Sequence, residues 1–110
     1  MAIKDIEKFV LHSEETDRLR MTVWAEVSKG CLEITGQDFG AEPLEFWGKD
    51  EYEYFYTFNK QNTAKLAALL NATSDNFKDI LLERFSGIDG TMLLRRLCEA
   101  NSIKYKFFSY

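Results

Sequence analysis

Apolar and polar residues alternate without a break in the first quarter of the chain, and this alternation constrains the fold more than any other feature of the sequence. The apolar series occupies every second position: Leu19, Met21, Val23, Ala25 and Val27. A period of two predicts a strand with one buried face, because successive side chains of a strand point to opposite sides of the sheet. Residues 18–27 are therefore predicted to form a half-buried strand.

Three further segments of the N-terminal half are predicted to be strands. Residues 6–11 end in an apolar run, and residues 31–35 alternate as residues 18–27 do. Residues 51–58 carry an aromatic ring at every second position, which suits a pleated surface. A short turn ending at Gly30 is expected to join the second and third strands into a hairpin.

After residue 58 the spacing of the apolar residues changes from two to three or four, which is typical of amphipathic helices. Asn59 is predicted to cap a helix that runs to about Leu70. A second helix is predicted over residues 74–87, and a third begins at residue 89 or 91 and ends near residue 101. Residues 103–110 alternate again and are predicted to form a final strand.

This order of elements predicts an α+β fold in a single domain spanning residues 1–110. An N-terminal meander of about four strands, three short helices and a C-terminal strand would give an antiparallel sheet of about five strands, with the helices on one face. The last strand has two possible positions, beside an interior strand or at an edge. Residues 36–50 contain three glycines and the single proline, so they are predicted to be irregular.

The sequence predicts a cytoplasmic protein without a membrane partner. No long apolar segment follows the first residues, so neither a signal peptide nor a membrane-spanning helix is expected. The two cysteines, Cys31 and Cys98, lie far apart within apolar patterns. They are expected to be buried, reduced thiols.

The net charge of −4 is unevenly distributed along the chain. Residues 1–55 carry 13 acids and 6 bases, whereas residues 56–110 carry 5 acids and 8 bases. The acidic half argues against a nucleic-acid partner, because phosphate contacts require clustered lysines and arginines. The same charge favours a basic protein as partner.

Candidate catalytic residues are few. The one histidine, His12, is followed by Ser13, but neighbours on a strand point to opposite faces and so do not form a base–nucleophile pair. His12, Cys31 and Cys98 lack the close paired spacing of zinc ligands. The sequence therefore predicts no catalytic residue, no metal site and no cofactor, and it favours a non-enzymatic protein.

The strongest functional signal is a stretch rich in acids and aromatic rings. Residues 33–53 contain seven acids and one base. Rings flanked by like charges are typical of protein-binding surfaces, where the rings anchor the partner and the charges select it. The predicted partner-binding residues are Asp38, Glu42, Glu45, Trp47, Asp50, Glu51 and Glu53. The alternative is that these rings belong to the core and the acids are merely solvated.

Three segments, together with the short helices, carry a resemblance to a known group. Residues 30–40, the acidic-aromatic residues 50–56 and the terminal residues 103–110 together resemble small bacterial immunity proteins of contact-dependent growth inhibition and related polymorphic toxin systems. Members of that group are compact cytosolic proteins, often acidic, that bind a cognate toxin domain, commonly a nuclease, and block it. The resemblance implies a basic toxin domain as partner, and it assigns no family residue to a position here.

We therefore expect a non-enzymatic, immunity-type protein that binds and neutralises a cognate toxin through its acidic-aromatic surface. Two alternatives stay open. A structural or regulatory subunit would self-associate through an aromatic strand, over residues 52–58 or 105–110, so monomer and homodimer are both compatible with the sequence. A small enzyme would need an acid–base pair around His12.

Overall fold

The computed structural model describes residues 2–40 and 51–110. Within these residues the chain forms five strands and three helices. In chain order they are β1 (Ile6–Glu15), β2 (Leu19–Ser28), β3 (Cys31–Gly40), β4 (Glu51–Thr57), α1 (Lys60–Leu69), α2 (Phe77–Phe85), α3 (Gly90–Ala100) and β5 (Lys106–Ser109).

The five strands form one antiparallel sheet in the order β1-β2-β3-β4-β5. The prediction of an α+β fold with an N-terminal meander is confirmed. The structure also answers the question that the sequence left open, because β5 lies at the edge of the sheet beside β4.

All three helices lie in the connection between β4 and β5 and cover one face of the sheet, called here the helix face. The core between the two layers draws on alternate strand residues and on one stripe of each helix. The strand residues buried there are Leu11, Val23, Ala25, Val27, Leu32, Ile34 and Tyr56. The helix residues buried there are Leu66, Ala67, Phe77, Leu81, Phe85, Leu94 and Cys98. This alternation is the pattern that residues 18–27 predict.

Helix α1 is held in place by hydrogen bonds of three polar side chains at or near its start, Asn59, Asn62 and Thr63. Asn59 caps the helix as predicted, and its side chain accepts a hydrogen bond from the backbone N–H of Asn62 at 2.8 Å. The hydroxyl of Thr63, fully buried, accepts the N–H of Leu32 in β3 at 2.9 Å. The amide oxygen of Asn62 accepts the N–H of Lys104 at 2.8 Å. These bonds satisfy backbone groups that burial would otherwise leave unpaired.

Two of the strands are longer than the sequence predicts. Strand β1 continues through the polar residues to Glu15, and β3 continues beyond residue 35 to Gly40. The prediction that the irregular segment begins at Gly36 is therefore wrong, while residues 41–50 lie outside the described residues. These polar residues and glycines can lie in strands because β1 and β3 each pair with β2. The pairing satisfies their backbone N–H and C=O groups.

Gly36 is needed because of an aromatic ring and not because of a turn. It pairs with Tyr54 of β4, and the Tyr54 ring lies across the backbone of β3. A Cβ atom at residue 36 would stand 1.9 Å from Cζ of Tyr54. The ring also packs on Tyr56, with 5.7 Å between the centroids, and on Phe107 of β5 at 6.5 Å. The aromatic series predicted for β4 is thus part of the helix face.

The C-terminal segment forms less strand than predicted. Strand β5 covers only Lys106–Ser109, whereas residues 103–110 are the predicted range. Ile103 is instead buried in the core, and its N–H donates to the carbonyl of Cys98 at 2.9 Å in the turn that ends α3. Helix α2 begins at Phe77, a few residues later than predicted.

Substituting Gly36→Ala is expected to lower the free energy of unfolding by roughly 1–3 kcal/mol, because the new methyl group displaces the Tyr54 ring from the helix face. Urea unfolding of the wild type, Gly36→Ala, Tyr54→Ala and the double variant measures the effect. In the Tyr54→Ala background the same substitution should cost much less. An equal cost in both backgrounds would show that the Tyr54 ring is not the cause.

Candidate functional site

The face of the sheet opposite the helices, called here the open face, carries the most prominent surface feature of the described chain. No helix among residues 2–40 and 51–110 packs on it. It displays the strand residues that alternate with the core residues. These positions would be polar in a simple half-buried sheet, yet several of them are large and apolar.

Five of these residues form a continuous row across all five strands. The register places Val10 opposite Trp24, Trp24 opposite Thr35, Thr35 opposite Phe55, and Phe55 opposite Phe108. Each pair of neighbours is close enough for side-chain contact, because residues directly opposite in an antiparallel pair have Cβ atoms about 5 Å apart. We call these five residues the aromatic row.

The centre of the aromatic row is packed and its ends are exposed. Thr35 is only 5% exposed although no helix covers it, so its neighbours Trp24 and Phe55 close over it. At the two edges of the sheet, Val10 is 50% and Phe108 48% exposed. Tyr110 extends the row by packing edge-on against Phe55, with 5.9 Å between the ring centroids. A shallow pocket of about 270 Å³ lies between these rings and Glu33.

Four glutamates border the aromatic row on the open face. Glu26 and Glu33 lie directly opposite each other in β2 and β3, on one side of the row. Glu51 and Glu53 of β4 lie on its other side, and Glu51 accepts a hydrogen bond from the side-chain amide of Gln37 at 2.8 Å. None of the four forms an ion pair with another described residue.

The open face has fewer basic residues than acidic ones, and two of the basic residues already contact another side chain. Lys8 stands over the ring of Trp24, with its Nζ 5.0 Å from the ring centroid, and Arg20 pairs with Glu15 at 3.5 Å. Lys106 of β5 pairs with Thr57 of β4, which in turn pairs with Glu33 of β3. Lys106 therefore lies on the same side of the aromatic row as Glu33, two strands away. The open face therefore combines an apolar centre with an excess of negative charge at its borders.

The predicted partner-binding residues divide into three groups. Glu51 and Glu53 lie on the open face. The side chain of Asp38 in β3 points to the same side of the sheet as the buried Ile34. It therefore lies on the helix face, near Tyr54, and is not part of the open face. The remaining predicted residues, Glu42, Glu45, Trp47 and Asp50, lie outside the described residues.

The residues predicted from the sequence do not include four that the structure places on the open face: Trp24, Phe55, Glu26 and Glu33. A signal for them was present. In β2, Trp24 stands at one of the alternate positions that are otherwise polar, and Phe55 does the same in β4. A large ring at a position that should face solvent indicates an exposed apolar patch. The cross-strand register that gathers these residues into one row could not be derived from the alternation alone.

The structure keeps His12 and Ser13 apart. His12 pairs with Val23 and shares its side of the sheet, whereas Ser13 is exposed and pairs with Thr22. Within residues 2–40 and 51–110, no three His, Cys, Asp or Glu side chains come close enough to hold a metal ion. Cys31 and Cys98 are both free thiols, with Cys98 fully buried and Cys31 partly exposed.

Two side chains packed in the core, the Cys98 thiol and the Tyr54 phenol, have a raised pKa. Burial, and to a smaller extent Glu99, raises the pKa of the Cys98 thiol from 9.0 to about 11. Burial followed by the neighbouring charge of Asp38 raises the pKa of Tyr54 far above its ordinary range, although a hydrogen bond with Thr91 opposes the shift. A raised pKa keeps both groups neutral at physiological pH. Neither is therefore activated as a nucleophile.

A comparison with protein-family models, with curated proteins and with solved structures finds no match to this chain. No helix of the described part of the chain is long and apolar enough to cross a membrane. The function of this chain is therefore inferred from the open face itself.

The raised pKa of Cys98 gives a prediction for stability at alkaline pH. A group whose pKa is raised by folding stabilises the folded state fully below its unfolded pKa, here 9.0, and loses this contribution as pH rises through about 11. We expect the free energy of unfolding to fall by roughly 2 kcal/mol between pH 8 and pH 11 because of this group. Urea titrations at a series of pH values measure the fall.

The Cys98→Ala variant should show a smaller fall over that pH range, whatever its stability at pH 8. The Cys31→Ala variant is the matched control, since it removes the partly exposed thiol from outside the core. If Cys98→Ala has the same pH dependence as the wild type, the Cys98 thiol does not carry the effect.

Proposed function

We propose that this chain is a non-enzymatic, immunity-type protein that binds a basic toxin domain through the open face and so neutralises it. One observation carries the proposal: the aromatic row is bordered by four glutamates that have no ion-pair partner among the described residues. An apolar patch with a polar rim is the usual composition of a protein-binding surface.

The arrangement of the glutamates supports a cationic partner. Glu26 and Glu33 lie directly opposite each other, and like charges in that position destabilise a sheet. Lysine or arginine side chains of a partner would turn this repulsion into attraction when they lie between the two carboxylates. The charge pattern thus favours a basic protein over a neutral one.

In this proposal the open face makes association with the toxin fast and dissociation slow. Negative charge spread over the rim attracts a basic partner over a distance and raises the association rate. Trp24 and Phe55 are half-buried already, so they are rigid anchors that lose little conformational entropy on binding. A nuclease presents basic residues to its phosphate substrate, and an acidic face that binds those residues would block access of the substrate.

Affinity capture of the tagged chain from its native host, followed by mass spectrometry, is the first step of the test, and the captured partner is then purified. We expect one equivalent of the chain to abolish the partner's toxic activity. We also expect the association rate to fall by about tenfold as salt rises from low to high concentration. Stopped-flow tryptophan fluorescence measures the rate, because Trp24 lies in the proposed interface.

A charge variant of the open face sharpens this test. Replacing the four bordering glutamates by glutamine (Glu26→Gln, Glu33→Gln, Glu51→Gln and Glu53→Gln) should slow association by about tenfold or more. The matched control neutralises four exposed acids of the helix layer: Asp79→Asn, Glu83→Gln, Asp89→Asn and Glu99→Gln. Both variants change the net charge by the same amount. Equal rates for the two variants would contradict a role for the open face.

The anchoring role of the rings is tested separately. Phe55→Ala should leave the association rate nearly unchanged and raise the dissociation rate by about tenfold or more, because it removes an apolar anchor and no charge. Circular dichroism confirms that the variant is folded. A partner that dissociates from Phe55→Ala as slowly as from the wild type does not bind across the aromatic row.

A further inference from the structure

The two edges of the sheet differ in how they are protected against pairing with another strand. Strand β1 has irregular register between Ile6 and Phe9 and again between Val10 and His12. Such bulges twist an edge and discourage pairing. Strand β5 pairs with β4 in regular register, and all four of its residues are exposed. In the described part of the chain, β5 is therefore the edge that is open to a further strand.

The backbone groups that β5 offers can be assigned from its pairing with β4. Glu53 and Tyr110 exchange both backbone hydrogen bonds, at 2.8 and 3.5 Å. In an antiparallel pair the residues alternate between hydrogen-bonded and non-hydrogen-bonded positions. Phe108, two residues before Tyr110, therefore directs its N–H and C=O towards β4. Phe107 and Ser109 direct theirs away from the sheet, to the outer edge.

We propose that β5 pairs with β5 of a second copy of this chain, antiparallel and about a two-fold axis at Phe108, so that two sheets join into one of ten strands. This register places Phe107 opposite Ser109 of the second copy, and the reverse. The two outward N–H groups and two outward C=O groups of each strand then form four hydrogen bonds between the copies. This pairing does not rest on the proposed toxin binding, because its hydrogen bonds use the backbone edge of β5. It meets the open face only at Lys106, Phe108 and Tyr110.

In this register the side chains of the two β5 strands are complementary to one another. On the open face, Phe108 meets Phe108 of the second copy at the axis, so the aromatic row continues from one sheet into the other. Lys106 lies opposite Tyr110 of the second copy, where an ammonium group and a ring attract each other. On the helix face the large ring of Phe107 lies opposite the small Ser109. A register shifted by two residues in either direction loses the Phe108 pair.

The charge of β5 does not prevent this pairing. Lys106 is the one charged residue of the strand, and in the proposed register it is four residues away from Lys106 of the second copy along the strand direction. That offset is about 13 Å. It exceeds the screening length of about 8 Å at physiological salt, so repulsion between the two lysines is weak. A homodimer that hardly depends on salt is therefore expected.

A pair of cysteine variants tests the register. In the Cys31→Ser background, Phe108→Cys should form an interchain disulfide in a glutathione redox buffer, because residue 108 faces its own copy at a non-hydrogen-bonded position with Cα atoms about 4.5 Å apart. Phe107→Cys is the matched control, since it replaces another half-exposed phenylalanine of the same strand. It faces residue 109 of the second copy and should crosslink far less.

Sedimentation equilibrium of the wild type at several concentrations tests the dimer itself. We expect a reversible dimer with a dissociation constant below about 1 mM. Ser109→Pro should abolish it, because proline removes an outward N–H while the N–H groups that bond β4 stay in place. A wild type that stays monomeric up to about 1 mM, or a dimer that survives Ser109→Pro, overturns the proposal. If Ser109→Pro does not fold, equal crosslinking of the two cysteine variants overturns it instead.

Toxin binding and dimer formation fail separately in these experiments. Loss of the dimer in Ser109→Pro should leave neutralisation of the captured partner unchanged. The variant with four glutamines should keep the dimer while it loses fast association with the partner. A Ser109→Pro chain that is monomeric and also fails to bind the partner would show that the two surfaces are not independent.

Discussion

The single connection that contains all three helices determines which surfaces this protein has available. Because α1, α2 and α3 all lie between β4 and β5, one connection supplies the whole helix layer, and the helices cover only one face of the sheet. The bonds from Leu32 to Thr63 and from Lys104 to Asn62 fix α1 in that layer. Burial of the alternate strand residues follows, and so does the exposure of the opposite set.

The open face differs from an ordinary solvent-facing side of an antiparallel sheet. Such a side is usually polar, whereas this one carries Trp24, Phe55 and Phe108 in one line across the strands. The rings protect Thr35 from water, which stabilises the sheet, but the ends of the row stay exposed. The facing carboxylates of Glu26 and Glu33 add a repulsion that folding does not require. Both features fit the proposed basic partner.

The helix face shows how an aromatic strand serves the core. Tyr54 and Tyr56 of β4 pack against Phe107 of β5, and Gly36 of β3 leaves room for the Tyr54 ring. The rings of β4 that appear as a binding signal in the sequence thus belong largely to the interior. Asp38 lies on this side as well, and its charge adds to the effect of burial in raising the pKa of Tyr54. Phe55 alone among the rings of β4 lies on the open face.

The sequence by itself determined the class of fold and the order of its elements, because periods of two and of 3.6 residues record which side chains are buried. It also determined the cap at Asn59, which is a local interaction. It did not determine that β3 runs through Gly36, since that depends on pairing with β2 and β4 and on the room that the Tyr54 ring needs, eighteen residues away. Nor did it separate Asp38 from Glu53, or bring Glu26 and Glu33 beside Phe55. Those outcomes depend on strand register and strand order, which only long-range pairing in the folded sheet decides.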